Sequence, residues 1–265
     1  MHRVIIVLTA FALLVVPSAA ATGAATGAAT GVEGTISLLQ LNICHGGMNK
    51  GCYHGDAVLT KATEVIRASK PHVLSVNEAC AGDVDRLRPA MGPARIAFVA
   101  ARNLDGTPTK CRDGQQYGNI VMVAASVAAD VAGTAEESGM YDAQYRALDG
   151  HLELRSWACL PAPTLSACTT HLSSDDAPTA LAQCQDLMRR AARYPRPAAV
   201  LGDFNLHDAG SPGMSDCDPA GFTRRGDGGV QYAYTSDDLA LTTVTKIDMA
   251  GTTDHPGLLI TVTRH

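Results

Sequence analysis

Asp203 and Asn205 stand two residues apart at the end of the apolar run Ala198-Ala199-Val200-Leu201-Gly202, pairing a carboxylate with a carboxamide. Residues i and i+2 of a strand face one side. The pattern therefore predicts Asp203 and Asn205 pointing into one cavity, Phe204 turned into the core, and Gly202 letting a ligand approach the backbone. The same stretch also reads as a strand end closed by an Asx turn. Four other segments end in reactive types: Asn42, Glu78, His171 and the pair Asp254-His255. Each alone has an ordinary structural explanation. Together they supply hard oxygen ligands, two imidazoles and carboxamides, which is what hydrolysis of a phosphate ester requires. A Mg²⁺-like ion takes one or two carboxylates and keeps its waters. Fixed donors meet charge growing on the phosphoryl oxygens, and a base takes a proton from water.

Apolar periodicity supplies the elements that carry these groups. Strands are expected over Ile36–Ile43, His72–Glu78, Arg95–Ala101, Tyr117–Val123, His151–Leu160, Ser166–Leu172, Val230–Ser236, Leu239–Ile247 and Gly257–Thr263, besides the run before Asp203. Helices are expected from Asp56 as cap through Ser69, over Asp83–Met91, and over Ala177–Tyr194. A polar loop, Arg102–Gln116, holds Arg102, Lys110 and Arg112, and an irregular segment, Leu206–Gly229, holds Arg224 and Arg225. Apolar strands that alternate with helices and end in polar residues predict a layered α/β sandwich with its site at one rim.

Residues 1–21 have a basic start, an apolar run from Val4 to Val16 and small residues after Pro17, as in a secretory signal peptide. The run falls short of the ~20 residues that span a bilayer. Residues 22–34 repeat Thr, Gly and Ala and read as a disordered linker; residues 35–265 are one domain. A formal charge of −5 excludes general attraction to a polyanion, so a nucleic acid would have to be held by local basic loops and a metal. Eight cysteines on an exported chain suggest disulfides, with Cys159–Cys168 and Cys184–Cys217 the first choices and Cys44–Cys52 and Cys80–Cys111 the remainder. A zinc site from Cys44, His45, Cys52 and His54 is the rival reading, although its spacing fits no usual pattern.

The segments LQLNI, VLSVNE, YGNIVM, CTTHLSS, LGDFN and TDHP, in that order, make the chain from Leu39 onward resemble the endonuclease/exonuclease/phosphatase superfamily. The resemblance is to a secreted bacterial member, deoxyribonuclease-like. It implies a four-layer α/β sandwich of two packed mixed β-sheets flanked by helices. It implies Glu78 as the main ligand of Mg²⁺, or of Mn²⁺ or Ca²⁺, with Asn42 and Asp254 completing the metal and phosphate environment. It casts His255 as the residue activating water, His171 and Asn205 as holders of the phosphoryl oxygens, and Asp203 as orienting the nucleophile or protonating the leaving group.

The main departure from the family is at one position, beside two lesser ones, Pro256 directly after His255 and Val123-Ala124-Ala125 where many members carry Ser-Arg. An aspartate usually orients the catalytic histidine, and Gln231 stands there instead. Its carbonyl could accept the imidazole N–H. If its amide faces the ring, the other tautomer results, and the comparable loss in a serine-protease triad is about 10⁴ in rate. A rival alignment uses Asp237 or Asp238. The function expected is that of a secreted metal-dependent phosphodiesterase, foremost an endonuclease on extracellular DNA, acting as a monomer without stable membrane association. The alternatives are a phosphatase or lipid phosphodiesterase on the same fold, or a catalytically impaired binding or toxin-like subunit. Aromatic residues at 5% and a single tryptophan, Trp157, argue against the membrane-acting sphingomyelinase and inositol phosphatase branches.

Overall fold

In the computed structural model, which describes residues 34–128, 135–146 and 153–265, the apolar runs assemble into two sheets. The first contains β1 (Thr35–Asn42), β2 (Val73–Cys80), β3 (Ala94–Ala100), β4 (Tyr117–Ala124), β11 (Leu239–Ile247) and β12 (Gly257–Arg264), ordered β11-β12-β1-β2-β4-β3. The second contains β5 (Glu137–Met140), β6 (Ser156–Leu160), β7 (Ser166–His171), β8 (Ala198–Asp203), β9 (Phe222–Gly226) and β10 (Gln231–Ser236), ordered β5-β6-β7-β8-β10-β9. Both are mixed: β1 runs parallel to β2 and β7 parallel to β8, and the other pairings are antiparallel. Helices α1 (Asp56–Ser69) and α2 (Asp83–Met91) cover the first sheet, and α3 (Ala177–Ala191) covers the second. This is the expected four-layer sandwich.

Strand alternation explains where the site sits. Ile36 and Leu38 of β1 face the layer between the sheets, whereas Leu39 and Leu41 face the helices. Every second residue of a strand shares a face, so Gln40 and Asn42 continue the inter-sheet side. The same change from apolar to polar occurs on β2 (Val73, then Ser75 and Asn77), β7 (Ala167, then Thr169 and His171) and β8 (Ala199 and Leu201, then Asp203). One end of the inter-sheet layer is thus hydrocarbon and the other a polar seam. Buried polar groups persist only when hydrogen-bonded. Here they bond across the sheets: Ser75 Oγ lies 2.7 Å from Thr169 Oγ1, and Asn77 Nδ2 donates to Thr170 O at 2.9 Å.

Several boundaries differ from expectation. Gly55, not Asp56, caps α1, because Asp56 already has helical backbone. Helix α3 stops at Ala191, ahead of the turn into Pro195 and Pro197. The segment expected as a strand from His151 begins only at Ser156, with 151–152 outside the described residues. Strand β5 has no sequence pattern that would reveal it. The region expected to be irregular contains a 3₁₀ turn, Met214–Cys217, and β9, which puts Arg224 and Arg225 on an edge strand. Residues 1–33, with the expected leader and most of the linker, lie outside the described residues.

All four favoured cysteine pairs are disulfides: Cys44–Cys52, Cys80–Cys111, Cys159–Cys168 and Cys184–Cys217. Bonding of Cys44 to Cys52 removes two ligands from the rival zinc site.

Candidate active site

Asn42, Glu78, His171, Asp203, Asn205 and Asp254-His255 converge where the polar seam opens. All but Asn42 line one cavity of about 370 Å³, and Asn42 lies just beneath it. Asn42 Nδ2 donates to Glu78 Oε1 at 2.8 Å and to Asp203 Oδ2 at 3.0 Å, while its Oδ1 accepts from Cys44 N–H at 3.1 Å. As placed, Asn42 bridges two carboxylates and has only the second lone pair of Oδ1 to offer an ion.

Glu78 has φ +56°, in the left-handed region that a long side chain adopts only under constraint. A register shift between Val76 and Ala79 in the β2–β4 ladder creates the bend, as a β-bulge does when it redirects a side chain. The Glu78 carbonyl accepts from both His45 N–H and Gly46 N–H at 3.0 Å, fixing the distortion. Two residues beyond Asn42 and two beyond Glu78, Cys44 and Cys80 each anchor a disulfide. The bends that present these two residues are therefore cross-linked to neighbouring loops.

Asp203 and Asn205 do share the cavity, but for a reason other than strand parity. Strand β8 ends at Asp203, and Asn205 has φ +49°. Asp203 Oδ1 accepts from Asn205 N–H at 3.1 Å, forming the Asx turn, and Asn205 Nδ2 donates to Leu172 O at 2.9 Å. The Asx turn and the shared cavity thus occur together in this stretch. Phe204 is buried as expected. Gly202 has a different task from the one expected of it: a Cβ there would stand 2.2 Å from Thr170 O, so glycine admits the neighbouring strand and not a ligand.

Gln231 lies opposite Asp203 in the β8–β10 register, with Nε2 2.6 Å from Asp203 Oδ2 and 3.4 Å from His255 Nδ1. Asp237 and Asp238 are engaged elsewhere, with Thr223 and with Arg196 and Ser236, which removes the rival alignment. His255 Nε2 is 3.7 Å from Asp203 Oδ2 and 3.6 Å from Asp254 Oδ1.

Glu153 and Arg155 also line the cavity, as a buried ion pair that motif reasoning missed. Their signal was two opposite charges at i and i+2 entering an apolar strand, a pairing that burial demands. Arg155 donates as well to Ser174 Oγ at 3.1 Å. Of the basic residues in the two polar segments, Arg224 is bound to Asp208 and Asp218, and Arg112 stacks over Tyr53. Arg102, Lys110 and Arg225 are exposed.

Charge in the cavity is one-sided. Among the described residues lining it there are five carboxylates (Glu78, Glu153, Asp175, Asp203, Asp254) against one guanidinium, already paired. Burial pushes the Glu78 carboxyl up to about 7, assisted by Glu153 and Asp203 and opposed by the Asn42 amide. Burial likewise raises Asp203, against the pull of His255 and its donors. His171 is held well below the usual histidine range by burial, Arg155 and His255, so its ring is neutral, and its buried Nδ1 has no partner among the described residues. Hard oxygen donors, surplus negative charge and an orphaned nitrogen fit a divalent cation together with an anionic ligand.

A pH dependence follows. Without metal, Glu78 is protonated below about pH 7, and a ligand must lose its proton to bind. The affinity of any divalent cation that Glu78 ligates is expected to rise about tenfold per pH unit up to roughly pH 7 and level off above it. Calorimetric titrations across that range check this, and a flat affinity would contradict it.

No curated protein matches the chain in sequence. Among solved structures, Caenorhabditis elegans TDP2 is 17% identical, with 87% of this chain and 74% of that one covered at a TM-score of 0.59. D. rerio TDP2 complexed with single-strand DNA product is 14% identical, covering 87% and 99% at 0.59. ANGEL2, a 2',3'-cyclic phosphatase, is 12% identical, covering 87% and 95% at 0.63. Such identities establish the shared fold. In sequence, residues 39–255 match the Endonuclease/Exonuclease/phosphatase family, and the chain belongs to that family.

Proposed function

We propose that the chain is a divalent-metal-dependent phosphodiesterase. The observation that carries this is the meeting of Glu78, Asp203, Asp254, His171, Asn205 and His255 in one cavity whose surplus negative charge calls for a cation. Glu78 and Asp254 would hold the ion, with Asn42 steering Glu78 through its amide and keeping one lone pair for the metal shell. A bound Mg²⁺, or Mn²⁺ or Ca²⁺, polarises the phosphoryl group as a Lewis acid. Asn205, turned by the Asx turn, and neutral His171 offer hydrogen bonds to phosphoryl oxygens without adding charge. Arg155, paired with Glu153, places the cavity's one guanidinium beside the site. Asp203 and His255, with Oδ2 and Nε2 3.7 Å apart, form the pair that handles the proton of the attacking water.

DNA is the substrate we favour, supported by the likeness to a TDP2 that holds a single-strand DNA product. A smaller phosphoester is the second reading, supported by the neutralisation of Arg224 by Asp208 and Asp218, which leaves less basic surface for a long backbone. Four disulfides and the apolar leader support export to an oxidising compartment. No described helix is long and apolar enough to cross a membrane.

Supercoiled plasmid with Mg²⁺ separates the two substrates. Nicking that EDTA abolishes, and that His255→Ala lowers by about 10²–10⁴, is the expected result. Intact plasmid alongside metal-dependent hydrolysis of p-nitrophenyl phosphates would move the assignment to small esters.

A further inference from the structure

Resting on the proposed site, the geometry points to a closed ring of amides that fixes which nitrogen of His255 carries the proton. Its anchors are backbone groups, which cannot turn over. Asp203 N–H donates to Asn77 Oδ1 at 2.8 Å, and Asn77 Nδ2 donates to the carbonyl of Thr170 at 2.9 Å, so the Asn77 amide has one orientation. With Oδ1 an acceptor, Gln40 must present Nε2 to it, at 2.7 Å. The other proton of that Nε2 goes to Gln231 Oε1 at 2.9 Å. Gln231 is thereby left with only its Nε2 for the rest of the ring: 2.6 Å from the carboxylate of Asp203, where the ring closes, and 3.4 Å from His255 Nδ1.

Reversing any one amide sets donor against donor or acceptor against acceptor at its neighbours, and a buried group left without its partner is strongly disfavoured. Gln40, Asn77 and Gln231 are all fully buried, so water cannot repair the loss. Gln231 therefore turns an N–H, not a carbonyl, toward the imidazole. Neutral His255 accepts at Nδ1 and carries its proton on Nε2, the nitrogen directed toward Asp203 and Asp254. An aspartate at position 231 would impose the opposite tautomer. His255 thus meets a phosphoryl oxygen as a hydrogen-bond donor, and the carboxylate of Asp203 is the proton-accepting member of the pair. Gln40, Asn77 and Gln231 are positioning residues that act through His255.

NMR of the imidazole ring nitrogens tests this on the whole folded protein at about pH 8.5, roughly two units above an ordinary histidine's pKa. His255 is assigned as the resonance lost in His255→Gln. The expected spectrum has Nε2 protonated and Nδ1 unprotonated, with an Nδ1 shift displaced by the hydrogen bond it accepts. That displacement should vanish in Gln231→Leu. A protonated Nδ1 in the wild-type protein would overturn the inference, whether or not the variant folds, as would an Nδ1 shift unchanged by Gln231→Leu. The spectrum is read without turnover, so failure here is distinct from failure of the phosphodiesterase assignment, which would appear as absence of metal-dependent hydrolysis.

Discussion

Glu78→Gln is expected to lower metal-dependent hydrolysis by at least about 10³, because a metal at a reacting phosphoryl group contributes several kcal/mol and each 1.36 kcal/mol is tenfold in rate. The substitution keeps the shape of the side chain and its contact with Asn42 Nδ2 through the amide oxygen. It removes the charge that, on the proposed function, attracts the ion. Fold stability should not fall with it. A carboxyl raised to about 7 in the metal-free protein binds its proton more tightly folded than unfolded, so its ionisation opposes folding as pH rises from the ordinary carboxylate range through 7. The neutral amide lacks that penalty, and Glu78→Gln should be the more stable protein above pH 7 in EDTA. Thermal melts and Mg²⁺ calorimetry read the two effects separately. A variant that lost activity and stability together would place Glu78 in the scaffold and not in the metal site.

Asp203→Asn carries the second large effect. Asp203 Oδ2 accepts from Asn42 Nδ2 and Gln231 Nε2 and faces His255 Nε2, while Oδ1 accepts from Asn205 N–H. Asparagine has one oxygen and one NH₂ where the aspartate has two acceptors. If the oxygen stays with Asn42 and Gln231, the NH₂ confronts Asn205 N–H and the Asx turn opens. If it turns the other way, two donors are opposed instead of one. The rate is expected to fall by about 10²–10⁴, as for loss of a proton-transfer group. The stability cost should be about 1–3 kcal/mol for the unpaired donor, offset by relief from burying a charge. Steady-state rates set beside urea unfolding distinguish this from collapse of the site. A rate within a few-fold of wild type would remove Asp203 from proton handling.

The architecture was readable because its cause is local. Alternation in LLQLN and VLSVNE places Gln40 and Asn42, or Ser75 and Asn77, on one face, and a wholly apolar strand broken by such residues must bond them to something. The gathering of Asn42, Glu78, His171, Asp203, Asn205 and His255 followed from strand ends meeting at one rim. The orientations at that rim were not legible. Glu78 and Asn205 occupy left-handed backbone held by tertiary hydrogen bonds, from the His45-Gly46 loop in one case and the Asp203 carboxylate in the other. Period-two reasoning has no access to such bends. Gln40 and Asn77 were visible as polar interruptions, but their partners are residues 191 and 126 positions away along the chain, so the ring they build exists only after folding. The ion pairs of Arg224 were hidden for the same reason. A basic residue in an irregular stretch looks free until Asp208 and Asp218 are seen to enclose it.

On the proposed function, these carboxylates hold a divalent ion on which phosphodiester hydrolysis depends. The most direct test is the initial rate of bis(p-nitrophenyl) phosphate hydrolysis against Mg²⁺ concentration, after EDTA treatment, for the wild-type protein and Glu78→Gln side by side. The expected rate is absent without the ion, saturates with it in the wild type, and stays near background in the variant. Hydrolysis that persists in EDTA, or that responds to Mg²⁺ equally in both proteins, would contradict the proposed function.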